Sequence, residues 1–144
     1  MPATTIEEAM QAFLGADEGF AAVSPGGLFP DVFPESLRVW PATVYRHTAG
    51  ANDPYLSGEP NDLNRDTFEF VAEGDKRIDA ARVRDRLLAV FGDIRACRGF
   101  WTPDVFVSGC MIPEAEAAAA APADGSERVD RQARVSVQIL WGRR

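Results

Sequence analysis

The chain has 144 residues, 46% of them hydrophobic, and carries a formal charge of −7 with an isoelectric point near 4.7. That length suits one domain over residues 1–144, able to bury about 70% of its unfolded surface, and the apolar content excludes wholesale disorder. The acidic balance excludes a general nucleic-acid-binding role, because such a surface repels phosphate backbones.

The N-terminus lacks the basic and apolar regions of a leader, and no run approaches membrane-spanning length, so a soluble cytoplasmic product is expected. Thr5 and Glu8 have the spacing of a capping box, and Ile6, Ala9, Met10, Phe13 and Leu14 form one apolar stripe. They predict a first helix over about 5–14. From 21 to 41 the prolines and glycines predict a packed, largely extended connection with a short turn of helix. Pro41 then leads a first strand over about 42–48. Residues 49–64 read as a long polar loop around the isolated apolar pair Tyr55 and Leu56. Such a loop exceeds the usual hairpin length of about 2–5 residues, and it is either a solvated tip or a contact loop.

Phe68, Phe70 and Ala72 alternate with Thr67, Glu69 and Val71, which predicts a strand with one buried face. After the turn at Glu73-Gly74-Asp75 the period changes. Ile78, Ala81 or Val83, Leu87 and Phe91 predict the inner face of a helix, with Arg82, Arg84, Asp85 and Arg86 on the remaining arc and Gly92 as a left-handed cap. Residues 93–103 read as a connection. A third strand is predicted over about 104–112, with Val105, Val107 and Met111 on one face and Phe106, Cys110 and Ile112 on the other. An alanine-rich insert occupies 114–126. The last strand, about 129–141, points Val135, Val137, Ile139 and Trp141 one way, and residues 142–144 are expected to fray. The order α-β-β-α-β-β predicts an α+β fold: a four-stranded, mainly antiparallel sheet with two helices packed on one face.

Few residues suggest chemistry. Asp62, Asn64, Asp66 and Glu73 reproduce part of a calcium-loop spacing, but Thr67 stands where the turn needs glycine and a strand follows, so the match is a chance one. His47 is the only histidine and is expected to make an ordinary hydrogen bond at a strand end. Cys97 and Cys110 have no metal-ligand spacing and are expected to be reduced, mostly buried thiols. No catalytic residue, cofactor or metal is expected. The arginines of the second helix are either a solvated face or a stripe that meets an acidic neighbour. The candidate contact residues are therefore Asn52, Tyr55 and Leu56 in the loop, with Arg82 and Arg86 on the helix.

Taken in order, the segments resemble the tail terminator (tail completion) proteins of long-tailed bacteriophages and gene transfer agents. The resemblance rests on the acidic-capped first helix, Gly27-Leu28-Phe29-Pro30, the strand from Trp40-Pro41 to Arg46 and the polar loop. It continues through Phe68-Glu69-Phe70-Val71-Ala72, the arginine-bearing helix ending in Leu87-Leu88 and the closing Val137-Gln138-Ile139-Leu140-Trp141. The insert at 114–126 is longer than the family pattern. The resemblance implies a structural virion protein in the tail-neck region, assembled in the host cytoplasm and without enzymatic activity. It implies a hexameric ring that caps the tail tube, stops its growth and meets the head-side connector or stopper, while DNA passes through the lumen without specific binding. The alternatives are another neck protein, such as a head-tail adaptor or stopper, and a small-ligand-binding or hydrolase domain.

Overall fold

The computed structural model describes residues 4–52, 64–116 and 132–143. The fold is α+β. Its elements are α1 (Ile6–Gly15), α2 (Glu18–Val23), β1 (Leu28–Pro30), β2 (Ala42–Asn52), β3 (Asn64–Glu73), α3 (Arg77–Gly92), α4 (Ile94–Cys97), β4 (Gly99–Thr102), β5 (Val105–Glu116) and β6 (Gln132–Arg143). The strands form one mixed sheet in the order β1-β2-β3-β6-β5-β4. Only the β1-β2 pairing is parallel.

The four expected strands are the central ones, but among the described residues the sheet has six strands rather than four, and there are four helices rather than two. β1 and β4 span three and four residues, too few for alternation to show in the sequence. The expected connections at 21–41 and 93–103 contain them, along with the end of α2 and all of α4. Part of the predicted loop at 49–64 is strand, because β2 runs on to Asn52 and β3 starts at Asn64, where the two are paired; residues 53–63 lie outside the described residues. Gly142 and Arg143 do not fray. They belong to β6, and the Arg143 guanidinium donates to the Thr4 carbonyl at 2.7 Å.

Thr5 caps α1 by accepting the Glu8 amide hydrogen, as the capping box predicts, and Ile6, Ala9, Met10 and Leu14 are buried. Phe13 stacks on Trp101 of β4, with ring centroids 4.3 Å apart. On the other side of the same helix, Glu7 and Gln11 bond the Tyr45 hydroxyl of β2. Four interstrand steps separate β2 from β4, about 19 Å in a flat sheet. A helix of about 10 Å diameter cannot bridge that distance. The sheet is therefore curled, with α1 across its concave side. Phe68, Phe70, Val135, Val137 and Ile139 complete the core beneath α1 and α3.

Two face assignments change. On α3 the buried residues are Ala80, Val83, Leu87, Val90 and Phe91, whereas Ile78 is 54% exposed. The helix ends without a left-handed residue, since the cap Asp93 has φ −103°. On β5, Val105 and Val107 face the core as expected, but a bulge between Val107 and Gly109 shifts the phase by one residue. Cys110 and Ile112 then turn inward and Met111 is 53% exposed, because a strand's side-chain period of two transfers every later residue to the opposite face.

On the convex face of the sheet, Asp31, Val32 and Phe33 line a pocket together with Val44, Val71 and Glu73. Val39 comes back against Gly26, where a Cβ would stand 2.1 Å from the Val39 carbonyl, so only glycine allows the approach.

Candidate functional site

The residues singled out in the sequence do not converge. Asn52 ends β2, and Tyr55 and Leu56 lie outside the described residues. Arg82 is exposed on α3. Arg86, four residues on, reaches back to α2 instead of outward. Its Nε and Nη2 donate to the two oxygens of Asp17 at 2.9 and 2.6 Å, a fork geometry that fixes the guanidinium. Gly19 leaves the space, since a Cβ there would stand 2.4 Å from the Arg86 Nε. Asp17 also caps α2 by accepting the Phe20 amide hydrogen. The Arg86 hydrogen bond holds the Asp17 carboxyl below its ordinary range, and Asp17 in turn raises Arg86. Half of the proposed basic contact pair is thus already committed within the chain.

Two polar clusters went unrecognised in the sequence. Asp66, 7% exposed, accepts from His47 Nε2 on one oxygen and from Trp141 Nε1 on the other, both at 2.6 Å. His47 stacks on Phe68, with ring centroids 4.8 Å apart. The carboxylate that fell on a calcium-like position is therefore occupied by two side-chain donors. Among the described residues no group of three His, Cys, Asp or Glu side chains could hold a metal ion. The second cluster is Tyr45 with Glu7 and Gln11. Burial, then the Glu7 carboxylate, pushes the phenol up, so it stays protonated and donates to Glu7 at 2.7 Å. Cys97 is buried and Cys110 half-buried, and burial followed by the neighbouring Cys97 raises the Cys110 thiol. A thiol held protonated in this way is a poor nucleophile.

Two surface features remain. A cleft of about 390 Å³ opens between α1, α2 and β1, walled by Leu14, Phe20, Ala21 and Leu28 with Gln11 and Ser24 at its polar positions. Among the described residues no ionisable side chain lines it. On the convex side, at the β4 edge, Phe100 is 58% exposed and meets Phe106 edge-on with ring centroids 5.1 Å apart. Register places Gly109 beside Leu140 and Met111 beside Gln138 on the same face, where Met111 is 53% exposed and Leu140 half-buried. Sequence periodicity could not find either feature. The cleft is assembled from three elements, and Phe100 lies in a strand too short to show a pattern.

No protein-family model matches the chain, and a search of curated proteins finds no relative. No helix among the described residues is long and apolar enough to cross a membrane.

Proposed function

We propose that the protein is a structural virion component, a tail terminator that closes into a ring on the end of the tail tube. The ring stops tube growth and offers its other side to the head-side connector or stopper. The observation that carries this reading is the exposure of Phe100 and Met111, with half-buried Phe106 beside them, on the face of the curled sheet opposite the described helices. Exposed apolar side chains on one face of a sheet suit a protein that assembles, and they support this reading. The sequence resemblance supplies the kind of assembly. The charge of −7 suits a lumen through which DNA passes, because phosphates find few cations able to displace their counterions. On this reading the protein works by binding and has no turnover.

Native mass spectrometry of the protein alone and with tail tube protein tests the proposal. The expected results are a closed oligomer of a single mass and tubes that stop lengthening once it is added. A chain that stays monomeric and leaves tube length unchanged refutes it. Binding to the connector without any effect on tubes would replace it with the head-tail adaptor reading.

A further inference from the structure

The charges of this chain are strongly divided along its length. Residues 1–37 hold Glu7, Glu8, Asp17, Glu18, Asp31 and Glu35 and no lysine or arginine. Residues 82–98 hold five arginines against Asp85 and Asp93. The acidic part contains α1, α2 and β1, the three elements that wall the uncharged cleft. The arginine-rich part leads directly into β4 and Phe100. Glu18 lies three residues before the cleft residue Ala21 on α2, a spacing that puts both on one side of a helix. Arg98 lies two residues before Phe100.

Phe100 itself is presented for contact. Gly99, at φ 137°, has no atom within 4 Å of the position its Cβ would take, and the edge-on contact with Phe106 braces the phenyl ring. A braced side chain has little rotamer freedom left to lose on docking. Like-to-like association of either feature would set arginines against arginines or acids against acids. Only a head-to-tail arrangement brings opposite charges together.

We infer that the occupant of the cleft is a second copy of this chain: Phe100 of one copy seats between α1, α2 and β1 of the next, with Arg95 and Arg98 against its acidic N-terminal part. The contact is heterologous, the kind that gives a ring when the rotation it repeats closes. The inference rests on the ring reading above and names the contact that makes the ring. Asp17 and Arg86 already show the same match between α2 and the arginine-rich helix inside one subunit.

Two complementary variants test it. Phe100→Ser keeps the cleft and loses the insert; Ala21→Trp, at an exposed helix position, fills the cleft and keeps Phe100. By native mass spectrometry each alone should be monomeric, and the mixture should give a one-to-one heterodimer that grows no further. A second pair serves if either variant fails to fold. Arg98→Glu, at an exposed site, should weaken association about fivefold, and Glu18→Arg in the same chain should restore it. If the parent forms rings and both single variants still do, or the mixed variants never pair, the docking inference is overturned and the ring reading stands. A parent that is monomeric at every concentration overturns both.

Discussion

Asp66 joins three adjacent strands through one side chain. It sits on β3, and its two donors come from β2 and β6 on either side. The donors differ in what happens when the carboxylate is removed. His47 is 40% exposed as a side chain and water can replace its partner, whereas the Trp141 indole is buried and would be left unpaired. An orphaned buried donor costs about 1–3 kcal/mol. Asp66→Ala should therefore lower the urea midpoint clearly more than His47→Ala does. Equal midpoints for the two variants would show that the Trp141 bond contributes nothing. Sequence spacing marked Asp66 only as part of a chance calcium pattern, because Trp141 lies 75 positions away and nothing local announces the pairing.

At the scale of the element, periodicity identified α3 as a helix but misplaced its first turn. Leu87 is 1% exposed in the core, and Leu87→Ala should cost about 2–5 kcal/mol. Ile78, predicted on the same inner face, projects into solvent, so Ile78→Ala should change stability by no more than about 0.5 kcal/mol. Thermal melts of the two variants check the pair, and similar losses would return Ile78 to the core. The inward faces of β3 and β6 were legible because their inner positions are apolar at every second residue, Phe68, Phe70 and Ala72 on one and Val135 to Trp141 on the other, although Val71 on the outer face of β3 is buried as well. β5 was legible only as far as its bulge. Arg86 read as part of an exposed stripe because helical spacing cannot reveal an acid 69 residues away on another helix. For the same reason the cleft, drawn from three elements, had no sequence signature at all.

Across the whole molecule, Asp104 ties the start of the described chain to its end. It accepts the Thr4 amide hydrogen at 2.9 Å and a guanidinium hydrogen of Arg143 at 3.2 Å. The Thr4 side chain and backbone hold its carboxyl down to about 2. A carboxyl lowered in the folded state adds stability that is fully present above its unfolded value, near 4, and disappears as the pH falls through the folded value. The backbone resonances of Thr4 and Arg143 should therefore shift together as the pH drops from about 4 toward 2, ahead of global unfolding, and Asp104→Asn should abolish the transition. Shifts confined to one end would break the link between them. The strand order has a consequence of a different kind. β6, the sixth strand in chain order, lies at the centre between β3 and β5. While a ribosome has made only residues 1–131, the nascent chain holds two unconnected partial sheets, β1-β2-β3 and β5-β4, each with a bare edge facing the gap. The sheet can therefore close only after β6 emerges, and until then its exposed edges are what a chaperone would need to shield.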